Sequence, residues 1–283
     1  MIRTRHGLLL IAPLALVLAG VFLVPVLMML PTSFREYVPG AGLTPGAWTL
    51  ANYTQIATDG YFREVLGRTM GLGLAVTLAC LVLGYPLAYL IARGPQRWRV
   101  PLILLVVFPM LLNLVVRSFG WIALLANHGL LNNLLMQLGL ISAPLKLMFN
   151  LTGLLIGMTH IYLPFMVLML VAAIRNVPRD VEAAAATLGS SRLHVFTAVT
   201  LPLSAPGILA GSILVFVLTI SALVTPLMLG GPTYKVMATL IYDEFLQLLD
   251  WPTGSALSFT LTIMAIGVIW LSGRLARRWV GAA

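Results

Sequence analysis

Charge is what this sequence has least of. Only 9% of its 283 residues are Asp, Glu, Lys or Arg, against 60% hydrophobic, whereas a soluble domain carries roughly 25% charged residues to keep its surface hydrated. With a mean hydropathy of +1.02, most of the chain has lipid as its solvent. Cysteine is nearly absent too. The single Cys80 sits inside an apolar run, which excludes an internal disulfide and any thiol cluster for zinc or iron–sulfur. Acidic residues are outnumbered, 8 against 17 basic, for a net charge of +9. Nucleic-acid binding would need that excess gathered on a solvated face. Here it gathers at the ends of apolar runs and reads as membrane topology.

Further absences remove energy sources and chemistries. A phosphate-cradling ATPase loop needs a lysine followed by Ser or Thr, and the lysines here, Lys146 and Lys235, precede Leu147 and Val236. Ion-coupled transport commonly places carboxylates or histidines inside the spans. No Asp or Glu lies in any apolar stretch, and His160, the remaining candidate, also reads as a hydrogen-bonded packing residue. There is no His-Glu-x-x-His pair, no Gly-x-Ser-x-Gly elbow and no pair of intramembrane carboxylates. The expectation is a chain that is not an enzyme, binds no metal and carries no cofactor of its own.

What is present is a set of long apolar runs. A helix crosses a bilayer core in about 20 residues. Uncharged stretches cover residues 7–30, 69–92, 151–174, 203–230 and 254–273, and a sixth, 100–127, is interrupted only by Arg117. Lipid leaves backbone polar groups unsatisfied outside helices and closed barrels, and runs such as 102–110 lack the alternation of barrel strands. The sequence therefore predicts an all-α polytopic membrane protein with six transmembrane helices, forming one domain over residues 1–283. The first run continues past a weak signal-peptidase-like site and reads as an uncut anchor. With both termini on one side, that side holds Arg3, Arg5, Arg93, Arg97, Arg99, Arg175, Arg179, Arg192, Arg274, Arg277 and Arg278, eleven of the 17 basic residues. The positive-inside rule makes it the cytoplasmic side.

The longest polar interruption on that side is 175–202, RNVPRDVEAAAATLGSSRLHVFTAVTLP. Pro178 ends the preceding span. Asp180 is the expected N-cap of a helix over 181–188, Gly189 its C′ stop, and Ser190 or Ser191 the cap of a second helix over 192–198. Leu193 and Phe196, three apart, would share an exposed face, and Pro202 would restart the next span. A helix–glycine–helix elbow with exposed Leu and Phe suits a groove on another protein, or serves as a plain connector.

The stretch 183–202 resembles the EAA loop of ATP-binding-cassette importer permeases: Gly189, nine residues, Val199, Thr200, Leu201 and Pro202 follow that family's spacing. Its glutamate is expected at position 183, which is alanine here. This chain has Glu182 instead, a rotation of about 100° on a helix. Further segments (NLVVRSFGWIALLANHGLLNNLL at 113–135, IYLPFMVL at 161–168, VTPLMLGG at 224–231, DWPTGSALS at 250–258 and TLANYTQI at 49–56) are similar to permeases of the spermidine/putrescine group. The resemblance implies a type I importer of the bacterial inner membrane. Two permease subunits, usually different chains, would enclose the path. A dimer of cytoplasmic ATPases, which bind the ATP, would dock on the loops, and an extracytoplasmic solute-binding protein would deliver solute. It also implies ATPase docking at Glu182, Ala183, Ala184, Gly189, Leu193, Phe196, Leu201 and Pro202.

For the substrate path or outer mouth the candidates are Arg117, Asp243, Glu244 and Asp250. Arg117, counted along one continuous helix from Val100, falls about 26 Å in, where it either snorkels to the interface or takes part in gating. Residues 240–250 place Asp243, Glu244, Gln247 and Asp250 opposite Ile241, Phe245 and Leu248, an acidic stripe facing water or a cationic solute. Residues 128–138 read as an interfacial helix. The expected function is inward movement of a small cationic organic solute, most simply a polyamine. The alternatives are an opine, a phosphonate or another amine in the same class, a secondary transporter acting alone, or a membrane scaffold.

Overall fold

The computed structural model describes residues 2–40 and 46–280, with the side chains of 12–40 and 46–274. The side chains of Arg3, Arg5, Arg277 and Arg278, which enter the charge asymmetry above, lie outside the described residues. In chain order the helices are α1 (Ile2–Ser33), α2 (Ala51–Thr58), α3 (Gly60–Arg93), α4 (Gln96–Val107), α5 (Leu114–Leu125), α6 (Leu130–Gln137), α7 (Leu151–Asn176), α8 (Arg179–Thr187), α9 (Arg192–Val195), α10 (Leu201–Leu203), α11 (Ala205–Ile220), α12 (Met237–Leu246) and α13 (Trp251–Val280). A 3₁₀ turn at Phe108–Leu111 and π turns at Phe196–Thr200 and Pro226–Gly230 complete them. Among the described residues the only β pairing is an isolated bridge between Arg35 and Trp48.

Five helical stretches are long and apolar enough to cross a bilayer: Ala12–Ser33, Gly60–Arg93, Leu114–Gln137, Leu151–Asn176 and Trp251–Arg274. Arg192–Leu203 and Ala205–Ile220, bent by 62°, make a sixth if the pair is one span. Two expected boundaries move. Residues 100–127 are not one helix: α4 stops at Val107, Pro109 lies in the 3₁₀ turn, Leu112 is extended, and Asn113 restarts the helix by accepting the Val115 N–H at 2.8 Å. Arg117 therefore sits in the first turn of α5, and a depth counted along a single helix does not apply. The expected run 203–230 is divided as well. Pro202 lies within α10, the bend falls at Ser204, and α11 ends at Ile220 before the π turn at Pro226. Proline cannot supply the N–H that a continuing helix needs, and the breaks after Val107 and at Ser204 each fall within two residues of one.

The chain separates into two compact units, one of residues up to Arg63 with Leu240–Ile263, the other of Glu64–Thr239 with the residues from Met264 on. In the first, Asn52 Nδ2 donates to the Ser33 and Arg35 carbonyls at 3.0 and 2.9 Å, and the Tyr53 hydroxyl donates to Ser33 Oγ at 2.8 Å. These bonds fix the turn that leads out of α1. In the second, α7 is the axis. Leu154, Met158, Met166, Val167, Leu170 and Ile174 are fully buried. So is Cys80 on α3, whose Sγ donates to the Thr159 carbonyl at 3.6 Å. With no hydrophobic drive between helices in lipid, close approach through small residues does the packing. On α11, a Cβ added at Gly207 would lie 2.1 Å from Ala173 Cβ, and one at Gly211 would lie 2.9 Å from Met166 Sδ.

Gly207→Val should therefore push α11 off α7 and cost at least about 1–3 kcal/mol by overpacking. Thermal denaturation of the purified protein in detergent measures it, and an unchanged midpoint would show that this contact does not limit the packing.

Candidate functional site

The elbow is built by local chemistry. Gly189 has φ +83, a left-handed conformation that glycine adopts without strain. Around it the Gly189 N–H donates to the Ala186 carbonyl at 3.1 Å and the Ser190 N–H to the Ala185 carbonyl at 3.2 Å, the paired bonds of a Schellman stop. Ser191 caps the second limb, accepting the His194 N–H at 3.3 Å. The first limb starts earlier than expected. Pro178 occupies the N-cap position without a side-chain bond, and Asp180 lies inside the first turn beside Glu182, where acidic charge suits the helix dipole. The second limb is continuous only as α9, a π turn and α10.

Of the expected docking residues, Ala183, Ala184, Gly189, Leu193 and Pro202 are exposed and Leu201 is half-buried. Leu188, which the motif did not single out, is the most exposed large hydrophobic side chain among the described residues at 87%, with Leu193 at 73%. Two residues face the other way. Phe196 is no exposed knob: its ring is held edge-on by Tyr85 and Tyr89, with centroids 5.6 and 5.5 Å away. Glu182 turns inward, 3.0 Å from Arg93 Nε through Oε2, while its Oε1 accepts from Thr200 Oγ1 at 2.8 Å. Arg93 Nη2 also donates to the Val177 carbonyl at 2.8 Å. A groove of about 530 Å³ runs beside this pair, lined by Tyr89, Arg93, Arg179, Glu182, Ser190 and Arg192 among others. Arg93 carried only a topology meaning in the sequence. The signal that would have found it is the spacing Tyr85, Tyr89, Arg93, which places all three on one face of α3.

The acidic segment is less uniform than its spacing suggested. Asp243 is partly exposed, but Glu244 is buried, at 7% exposure, and Leu248 is exposed. Asp250 accepts the Thr253 N–H at 2.9 Å and so caps α13. Burial, with Asp250 and Asp243 close by, pushes the Glu244 carboxyl up to about 7. At neutral pH Glu244 therefore carries less than a full negative charge. Residues 130–137 form the expected short helix. In α5, Arg117 Nε and Nη1 are buried with no hydrogen-bond partner among the described residues. His160 is a packing residue: Trp121 Nε1 donates to its Nδ1 at 3.3 Å and the rings meet edge-on.

Residues 84–281 match the family of binding-protein-dependent transport system inner membrane components. The chain belongs to this family. It is 37% identical over 259 residues to the spermidine/putrescine transport system permease protein PotB of Escherichia coli (strain K12), covering 90% of this chain and 94% of that one. The protein of the same name from Haemophilus influenzae is 33% identical over 242 residues, covering 86% and 84%. A bacterial alginate ABC transporter, solved in complex with a periplasmic protein bound to an alginate pentasaccharide, superposes with a TM-score of 0.79 over 98% of this chain and 96% of that one. At 18% identity, that likeness establishes the fold alone. The expected all-α permease architecture, placement in the inner membrane and transport rather than enzymatic role all follow from this membership. The family's description makes its members components of transport systems that depend on a binding protein.

The raised Glu244 pKa has a pH consequence. The fold binds this proton more tightly than the unfolded chain does. The stabilisation is therefore full below the ordinary value of 4.5 and is lost as the pH rises through about 7. Between about pH 5 and about pH 8 the denaturation midpoint in detergent should fall, and Glu244→Gln should flatten that dependence, with a difference on the order of a few kcal/mol at the alkaline end. Parallel curves for the two proteins would contradict it.

Proposed function

We propose that this chain is the permease subunit of an ATP-driven importer that carries a small cationic organic solute of the polyamine type, spermidine or putrescine, into the cytoplasm. The observation that carries the reading is the elbow: a Schellman-stopped α8 and Ser191-capped α9 presenting Leu188 and Leu193 to solvent. Apolar anchors exposed on a short helix at the elbow suit a groove on a partner. The partner is a cytoplasmic ATPase dimer, which supplies the ATP-binding loop this chain lacks. Residues 1–283 act as one permease domain with 175–202 as its coupling loop. Both termini face the cytoplasm, a second and different permease subunit completes the path, and an extracytoplasmic binding protein delivers the solute. The polyamine assignment is supported by the 37% identity to PotB and by Asp243 and Asp250, which offer negative charge to a cation.

In cells lacking other polyamine importers, this chain expressed with its partner subunits should restore uptake of labelled spermidine or putrescine. That uptake should survive an ionophore and stop on ATP depletion. Collapse with the ionophore while ATP persists would point to ion-coupled transport instead. Competition by a neutral solute as effective as putrescine would remove the cationic assignment.

Gly189→Asp puts a side chain at a φ of +83 and a negative charge at the C-terminal end of α8, which the helix dipole disfavours. Uptake should fall by about tenfold or more, with loss of the co-purifying ATPase and unchanged amounts of protein in the membrane. Wild-type uptake would rule out docking at the elbow.

A further inference from the structure

Four contacts tie the elbow and the bend that follows it to one face of α3. The Tyr85 hydroxyl pairs with Ser204 Oγ at 2.8 Å. Phe196 is wedged edge-on between Tyr85 and Tyr89. Arg93, in the last turn of α3, meets Glu182 through Nε and Nη2 at 3.2 and 3.1 Å to Oε1. The two side chains are only 11% and 16% exposed. Glu182 belongs to the first limb of the elbow and Thr200, its other partner, to the second. One carboxylate thus joins both limbs, and its arginine also holds the Val177 carbonyl at the end of α7.

We propose that Glu182 is a positioning residue, the keystone of a rigid link that passes displacement of the elbow to α3 and α7, and that it is not a contact to the ATPase. The inference rests on the docking role proposed for the elbow and assigns the work within it. Leu188 and Leu193 meet the partner, and Arg93, Glu182 and Thr200 carry the motion inward. The geometry around Glu182 supports this division. A carboxylate with one oxygen shared between Arg93 and Thr200 and the other 3.0 Å from Arg93 Nε is already committed. Pulling it out to meet another cation would leave a largely buried guanidinium with only the Val177 carbonyl. A link held by a charge-assisted network in a packed setting has few arrangements open to it, so it moves as a body.

The test is charge reversal in the assembled importer, reconstituted in proteoliposomes with ATPase, second permease subunit and binding protein. Three quantities are read: co-purifying ATPase, ATP hydrolysed, and solute moved per ATP. Arg93→Glu and Glu182→Arg should each keep the ATPase bound but lower solute moved per ATP by about tenfold, and the double reversal should recover to within about threefold of wild type. A double reversal no better than either single, with the ATPase still bound, would overturn the link. Loss of the ATPase from Glu182→Arg that the double reversal does not restore would make Glu182 a docking contact and overturn it equally. Thr200→Val keeps the ion pair and guards against failure of the reversals to insert. It should lower solute per ATP by about two- to fivefold, and a wild-type ratio would count against the proposal. If the wild-type ATPase were never recovered through the elbow, the docking reading itself would fail, a result separable from failure of the link alone.

Discussion

Lipid offers no hydrogen bonds to a peptide backbone, and the architecture answers to that constraint before any other. At three places where the chain leaves a regular helix, a side chain takes over a freed donor or acceptor. After α4 the break at Pro109 is closed by Asn113, whose side chain accepts the Val115 N–H. At the entry to α7, Asn150 accepts the Gly153 N–H at 3.1 Å. At the bend before α11, the hydroxyl of Ser204 donates to the Leu201 carbonyl at 3.0 Å. Interruptions of this kind let a membrane protein bend without exposing backbone, and they give the elbow a place to attach.

Local rules that act through the backbone were legible in advance. Glycine at 189 and serine at 191 announce a stop and a start, and both are found there. The long apolar runs announce membrane helices, and the span count agrees if the bent pair is one span. What composition and periodicity left hidden was direction. Hydropathy treats 100–127 as uniform because leucine and valine suit a helix on either side of a break, so the interruption at Pro109 was invisible to a window average. Phe196 looked exposed because its partners, Tyr85 and Tyr89, lie more than a hundred residues earlier. Glu182 is expected among the docking residues, and only the fold brings Arg93 and Thr200 to it. Its offset of one residue from the family's usual position accompanies this inward orientation.

The acidic residues near α12 show how burial can cancel an expectation built from spacing. Three carboxyls within eight residues suggest a dense negative patch, yet one is buried and favours its proton, and another is occupied in capping α13. Such an arrangement limits mutual repulsion where charge is crowded. It leaves less negative potential than the formal count implies.

The burial of Cys80 reaches beyond packing. Its sulfur is sealed between α3 and α7 with no exposed surface, and thiol chemistry requires access of reagent to the sulfur. The wild-type chain is thus already a silent background for spectroscopy. A cysteine introduced at an exposed position such as Leu188 or Leu193 would be the one thiol of this subunit open to a fluorophore or spin label, so the excursions of the elbow can be watched without first altering any native residue.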